Sequence, residues 1–380
     1  MQFASVVLTF NSEPMRKSIP TIFIALIAMM VSLMECFAGC AERPVAKKKE
    51  NTISVLGKVP SDLEDPTMAL RMVGQKGFLI RTWSIWTSED QGRIWHKAGT
   101  AQRGSTPGSF EALWIKDRGH ILATSGKTVL ESINDGRNWV KKFRTSDVKR
   151  DFLAISGDEE SSWVLIGGAQ SVPVPPGQLG TLPKYANDVS STSRAPRMLV
   201  PAIMISRDHG DTWRSAHLPA SVGTIDTIVV SGRIAMALGP YVVFSSTDSG
   251  KSWSALRLEP WMEKEEAYPV AATISGNRWW VSLKNGTLLS GTPGKQELSQ
   301  VAQSTGPLEG LIFLNRCVGF ALREDDLVKT TDGGHTWMPL THSRNVKALY
   351  VTQSRAFVAT HDQILQVEVD PAEDTGACAK

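Results

Sequence analysis

A formal charge of +3, spread along 380 residues, is too small and too diffuse to build a nucleic-acid-binding face. The length admits two or three ordinary domains, or one closed all-β domain. Twelve Trp against four Tyr, 31 Gly and a near absence of long helical periodicity describe many short strands joined by tight turns.

The N-terminus reads as an address. Arg16 and Lys17 precede an uncharged apolar stretch from Ile19 to Met34, which runs into Phe37-Ala38-Gly39-Cys40. A basic region, an apolar region and small residues before a cut describe a secretory signal over residues 1–39, with Met15 as the expected start of translation. Small residues followed directly by Cys resemble a bacterial lipoprotein signal, in which Cys40 is acylated and becomes the mature N-terminus. Phe37 stands where Leu is usual and Glu35 lies close to the cut, so an uncleaved membrane anchor is the alternative. On either reading the body is exported and held at a membrane, facing the periplasm or an equivalent compartment. Residues 40–50 are polar and basic, with Lys47, Lys48 and Lys49 in a row, and read as a flexible tether. Glu42 and Ala41 supply no inner-membrane retention Asp, which leaves outer-membrane transfer open.

From Asn51 a repeat governs the chain. An eight-residue pattern recurs: Ser or Thr, any, Asp or Asn, any, Gly, any, a small polar residue, Trp. Its copies are SEDQGRIW from Ser88 to Trp95, SINDGRNW from Ser132 to Trp139, SRDHGDTW from Ser206 to Trp213, STDSGKSW from Ser246 to Trp253 and TTDGGHTW from Thr330 to Trp337. The first carries Ile94 at the small polar position, and a degenerate copy, SGTPGKQE, starts at Ser290 and keeps only Ser and Gly294. The starts step by 44, 74, 40, 44 and 40 residues. One blade of a four-stranded propeller occupies about 40–45 residues, so each step is one blade and the long step carries an insert. That insert is visible as the Pro-, Gly- and Ser-rich stretch from Ser171 to Pro196.

Strand patterns around the boxes agree. In the second blade Ala112 to Ile115, His120 to Thr124 and Val129 to Ser132 lead into the box, and Trp139 to Phe143 follows. After the last box come only three strands, Val346 to Val351, Ala356 to Thr360 and Ile364 to Val369; the missing fourth is Asn51 to Lys58. Pairing the chain ends closes the ring and leaves no edge. The expected fold is therefore all-β: a single propeller over 51–370 with an insert at 171–196 and a tail at 371–380. It has seven four-stranded blades, or six if the degenerate copy is not a blade.

The boxed residues Asp90, Asn134, Asp208, Asp248 and Asp332, with Trp95, Trp139, Trp213, Trp253 and Trp337, are expected to make turns, not chemistry. Function is expected on the opposite face, where strand two meets strand three and each blade passes to the next. There the chain spends its extra residues, in the insert and in EPWMEKEEAYP from Glu259 to Pro269. Basic and aromatic residues placed there are Arg103, Lys149, Arg150, Tyr185, Arg194, Tyr241, Trp261, Tyr268, Arg344 and His361, a set suited to an acidic protein segment or a sugar. Cys317 reads as a buried thiol; a bridge to Cys378 is chemically permitted in an oxidising compartment but nothing requires it. No Cys or His spacing suggests a metal, and no cofactor is expected.

The repeat resembles the Asp-box (BNR) repeat, which in that family forms the turn between the third and fourth strands of a blade. Two families with such propellers imply different functions. Sialidases resemble this chain in the boxes only: they need three Arg, a Tyr activated by Glu, and an Asp acid. Here Tyr268 near Glu265 and Glu266 is the one arrangement suggestive of a Tyr–Glu pair, and no Arg triad can be assigned. The photosystem II stability/assembly factors look like this chain in export signal, length, a single seven-bladed propeller and box-like turns over Asn51 to Val369. That resemblance implies a non-catalytic, monomeric scaffold that binds a protein or glycan partner at a membrane. An exo-glycosidase of sialidase-like type is the alternative.

Overall fold

In the computed structural model the body of the chain, Asn51–Lys380, is one compact unit. The structure describes residues 53–59, 65–100, 102–103, 106–107, 109–117, 119–145, 152–158, 163–177, 196–258, 261, 267–295, 297–324, 326–341, 346–352 and 354–369. The expected signal, Cys40, the tether, Cys378 and the tail lie outside them. No helix among the described residues is long and apolar enough to cross a membrane.

Seven four-stranded antiparallel sheets follow one another. Blade 1 is Thr67–Val73, Lys76–Arg81, Ser84–Ser88 and His96–Thr100; blade 2 is Ala112–Ile115, Ile121–Ser125, Thr128–Ser132 and Val140–Arg144. Blade 3 is Ala154–Gly157, Val164–Pro173, Arg197–Ser206 and Arg214–Ser215; blade 4 is Thr227–Ser231, Ile234–Gly239, Val242–Ser246 and Ser254–Arg257. Blade 5 is Pro269–Ser275, Arg278–Leu283, Thr287–Gly291 and Leu298–Gln303; blade 6 is Leu308–Phe313, Gly319–Arg323, Asp326–Thr330 and Met338–Pro339. Blade 7 takes Ala348–Val351, Arg355–Ala359 and Gln363–Glu368 from the C-terminal end and Ile53–Lys58 from the N-terminal end. The degenerate copy thus does sit in a blade, and the count is seven.

The sequence reports depth in each blade. Second and third strands read as unbroken apolar runs because both their faces meet neighbouring blades. Fourth strands such as His96–Thr100 and Val140–Arg144 are polar because they form the outer wall. The core is a set of layers between blades. Phe78, Ile80 and Ile85 of blade 1 meet Ile115, Ile121 and Leu130 of blade 2. At the closure Leu70, Leu79 and Trp95 of blade 1 meet Ala348, Phe357 and Ile364 of blade 7.

That closing layer depends on Ile53–Lys58, which pairs antiparallel with Gln363–Glu368 from Ile53↔Val367 to Lys58↔Gln363. Gly57 sits at an irregularity in this ladder, and a Cβ there would lie 2.4 Å from the Arg93 carbonyl oxygen. Only glycine lets the strand lie so close to the box of blade 1.

Each box joins a third strand to a fourth. In blade 4 the Ser246 hydroxyl donates to Asp248 Oδ1 (2.8 Å) and accepts from the Gly250 N–H (2.8 Å). The Ser252 N–H donates to the same carboxylate oxygen (2.9 Å) and its hydroxyl to the other (2.6 Å). Asn134 performs the same capping in blade 2, accepting from Ser132 Oγ (3.1 Å) and the Asn138 N–H (2.9 Å). Two further details mark the turn. The turn has two consecutive left-handed residues, not one: Gln91, Asp135, His209 and Ser249 have φ of 59–64° ahead of their Gly, and Gly333 holds the same place in blade 6. The box Trp packs between blades, not within its own. Trp213 of blade 3 lies 5.9 Å from Phe143 of blade 2, and Trp139 lies 5.1 Å from Phe110 in the link from blade 1. In blade 5, Thr292 stands at the carboxylate position, and Arg278 donates through Nε to Ser290 Oγ (2.7 Å) while its guanidinium lies 5.5 Å over Trp280.

The expected insert also shifts. Val164–Pro173 and Arg197–Ser206 pair in register out to Pro173↔Arg197, so Ser171 to Pro173 belong to a strand. In blade 4 the corresponding hairpin turns after Gly239↔Val242, the equivalent of Gly168↔Ala202. Blade 3 therefore runs five pairs further, about 17 Å of extra ladder.

Candidate functional site

Antiparallel order puts all turns between strands one and two, and three and four, at one end of the ring. The turns between strands two and three and the links between blades lie at the other. At the first end the box carboxylates are occupied by their own turns. Asp208 and Asp248 are held down at about 2: desolvation opposes this, but donation from Thr212 and Ser252, by side chain and backbone, outweighs it. Asp90 is lowered by the Ser88 hydroxyl and then by the Ile94 N–H. Asp332 is lowered against desolvation by Thr336 and Thr330, with His335 nearby. Carboxylates so stabilised as anions are poor proton donors at neutral pH. Among the described residues no group of His, Cys, Asp and Glu is placed to hold a metal.

The linking end presents a different chemistry. The first strands of the blades line the central channel, and three of them carry irregularities where they start, at its mouth. Pairing breaks register between Thr67 and Ala69 in blade 1, Pro269 and Ala271 in blade 5, and Glu309 and Ile312 in blade 6. A bulge re-aims side chains that a regular strand would bury. Met68 is 39% exposed at the first of these, and Glu309 is exposed at the third. Deeper in the same wall burial lowers the Arg71 guanidinium, with Tyr350 of blade 7 acting the other way.

Beside the mouth Trp83 is 45% exposed in the turn between strands two and three of blade 1. It is held from below. Asp65, in the link from blade 7 and itself buried, accepts the Trp83 N–H (2.6 Å) and the Ser84 hydroxyl. Ser84 Oγ accepts from Trp86 Nε1 (3.0 Å), and the Phe110 N–H donates to the Thr82 carbonyl (2.9 Å). Arg81 is buried under the turn with its guanidinium 5.9 Å over the Trp86 ring. The result is an exposed indole on a fixed turn, so little backbone freedom remains to be lost on binding.

The residues expected at this end are placed as follows. Tyr268 is 45% exposed in the link from blade 4 to blade 5, its carbonyl accepting from the Lys284 N–H (2.8 Å). Tyr241 lies in the second turn of blade 4, where its carbonyl accepts from the Leu258 N–H (2.9 Å). Trp261 packs, half-buried, on the layer between blades 4 and 5. His361 is exposed in the second turn of blade 7. Arg103 lies in a two-residue strand, Gln102–Arg103, paired with Thr106–Pro107 in the link from blade 1. Lys149, Arg150, Tyr185, Arg194, Arg344, Glu265 and Glu266 lie outside the described residues.

Met68, Trp83 and Glu309 were not among the expected residues. Trp83 had a signal in the sequence: it is a Trp outside any box, between two apolar runs, in the position of a turn. Met68 and Glu309 had none, since a bulge is a matter of pairing.

Fold and turns together define a seven-bladed β-propeller closed by its own termini. No family model matches the chain, and no curated protein matches it. Solved structures do. The propeller is similar to YCF48 bound to D1 peptide, at 13% identity and a TM-score of 0.57, covering 84% of this chain and 97% of that one. It is similar to YCF48 from Cyanidioschyzon merolae, at 14% identity and a TM-score of 0.55, covering 83% and 98%. A GH74 xyloglucanase from Xanthomonas campestris shares 13% identity at a TM-score of 0.54, with 84% of this chain on 54% of that one. At these identities the likeness is one of fold.

Proposed function

We propose that this protein is an exported, membrane-attached binding module that holds an extended segment of a partner protein across the linking end of its channel. The observation that carries the reading is the exposed Trp83 on its fixed turn, at the same end of the ring as bulge-presented Met68 and Glu309. An indole on a rigid turn, an adaptable thioether and an acidic group at one mouth suit an extended chain bearing apolar and basic side chains. The extended hairpin of blade 3 stands at the same end. A structure of the same fold is described as bound to a peptide, which supports a peptide as occupant. Export and attachment rest on the stretch from Arg16 to Cys40.

The test is direct. A peptide array spanning the extracytoplasmic loops and termini of envelope proteins from the source organism is probed with the protein and with Trp83→Ala. A ligand peptide is expected whose affinity falls at least about tenfold in the variant, as for a central aromatic anchor, while the unfolding temperature stays unchanged. Equal binding by both proteins would remove Trp83 from the site and the reading with it. Hydrolysis of a fluorogenic sialoside or glucoside, abolished by Tyr268→Phe, would establish the glycosidase alternative instead. Incorporation of labelled palmitate, lost in Cys40→Ser, tests the anchor separately.

A further inference from the structure

Nine large hydrophobic side chains are exposed among the described residues. Met68, Trp83 and Tyr268 belong to the linking end. The other six are Ile53, Val55, Ile94, Ile133, Val140 and Met338. All six occupy box turns or fourth strands, and all fall on the contiguous blades 6, 7, 1 and 2. Among the described residues blades 3, 4 and 5 contribute none.

The asymmetry is written into equivalent positions of the repeat. At the second box position blade 2 has Ile133, 77% exposed, where blades 3, 4 and 6 have Arg207, Thr247 and Thr331. At the seventh blade 1 has Ile94 where the others have Asn138, Thr212, Ser252 and Thr336. Fourth strands open with exposed Val140 in blade 2, Met338 in blade 6 and Ile53 in blade 7, against His96, Arg214 and Ser254 in blades 1, 3 and 4, while Leu298, which opens that of blade 5, is half-buried on the layer between blades 4 and 5. These positions are adjacent in space. A Cβ on Gly57 of blade 7 would meet Arg93, the neighbour of Ile94, and a Cβ on Gly99 of blade 1 would meet the box of blade 2 at the Gly136 carbonyl. Turn formation does not call for Ile at these places: at the seventh position Ser, Thr and Asn make the same main-chain bond as Ile94, and Ser and Thr add a hydroxyl bond that Ile94 lacks.

We infer that this arc of the rim rests on a lipid bilayer. What selects a bilayer over another occupant is where the chain enters. The arc includes blade 7, whose outer strand begins at Ile53. Only twelve residues separate Cys40 from Ile53, a reach of at most about 45 Å over thirteen residue steps. That segment carries Lys47, Lys48 and Lys49, which suit anionic head groups. A short basic tether and an apolar rim at its point of entry act together: the rim adds burial at the acyl boundary to the attachment the tether supplies. The contact leaves the linking end free. This inference shares the exported, membrane-attached part of the proposed function but not the peptide site, and its test separates the two.

The test uses Ala41–Lys380, which contains the entire compact unit, and vesicles of phosphatidylcholine with or without phosphatidylglycerol. Three proteins are compared by flotation: the parent, Val55→Thr/Ile94→Ser/Ile133→Thr, and Trp83→Ala. The parent is expected to float, more strongly with anionic lipid. The triple variant is expected to bind at least about tenfold more weakly on both vesicles, with an unchanged unfolding temperature, and Trp83→Ala is expected to match the parent. Equal flotation of parent and triple variant, or a parent that binds neither vesicle, would overturn the inference. So would a parent whose self-association, lost in the triple variant, accounts for the rim without lipid. If Trp83→Ala alone loses vesicle binding, the membrane face has been placed at the wrong end.

Discussion

The box of blade 4 gives a prediction whose size can be worked out. Asp248→Ala removes three hydrogen bonds to a carboxylate, from Ser246 Oγ (2.8 Å), the Ser252 N–H (2.9 Å) and Ser252 Oγ (2.6 Å). Such bonds contribute about 1.5–3 kcal/mol each when shielded. Here the turn is open to water, so freed donors rehydrate and the total loss resembles that of a helix cap, about 1–2 kcal/mol. Unfolding entropy of about 2.1 cal/mol/K per residue over roughly 320 residues converts this to a fall of about 2 °C in midpoint. Asp248→Asn should cost clearly less, because Asn134 caps blade 2 with the same contacts. Differential scanning calorimetry at pH 7 measures both.

Acid supplies the second half of the same test. The folded carboxylate titrates at about 2 and an unperturbed Asp at 3.8, so its contribution is complete above about pH 4. It is lost as the pH falls through the folded value, because protonation then removes what the donors were stabilising. Asp248→Ala should therefore flatten the stability profile between about pH 4 and pH 2 while lowering it above. An Asn variant as unstable as Ala, or an Ala variant with the acid limb of the parent, would refute the turn-capping account.

Two further outcomes follow from backbone geometry. Gly57→Val places side-chain carbon 2.4 Å from the Arg93 oxygen and 2.5 Å from the Gly92 oxygen, both main chain, so the closing strand must detach. Hydrogen exchange at Gln363–Glu368, otherwise slow, should become fast, with a loss of about 3 kcal/mol or more. His209 is left-handed at φ 59°, so His209→Val should cost about 1–2 kcal/mol in chemical denaturation, while His209→Gly, the residue type blade 6 uses at Gly333, should be close to neutral.

The architecture was legible because it is a repetition. Each copy of the box states the same local demand, and equal spacing states how often a sheet recurs, so seven blades and the terminal closure followed from turn chemistry and from counting strands after Trp337. The degenerate copy at Ser290 was the hardest blade to read, because the Trp279 carbonyl, on a different strand, accepts from the Ser290 hydroxyl in place of the missing carboxylate, while Arg278 donates to it. The mouth was less legible. A long, polar link drew the sequence reading towards Tyr268 and Trp261. Trp83 sits instead on a short turn whose importance comes from Asp65, eighteen residues earlier. Met68 and Glu309 are exposed through breaks in pairing with neighbouring strands, and pairing is a property of two segments that neither announces alone. Ile94 read as a departure from the box pattern and Ile133 stood at a free position of it, until the ring placed their boxes on neighbouring blades.

The shared seventh blade has a consequence for biogenesis. Its outer strand is made first and its other three last, so the ring cannot lock until the whole body has been synthesised. Until then the first blade has no neighbour on one flank, and Leu70, Leu79 and Trp95 lack the layer that will cover them. A pairing across nearly the entire sequence is slow to form and leaves sticky surface on display meanwhile. Chaperone dependence during folding should therefore be concentrated at the two ends of the propeller's chain.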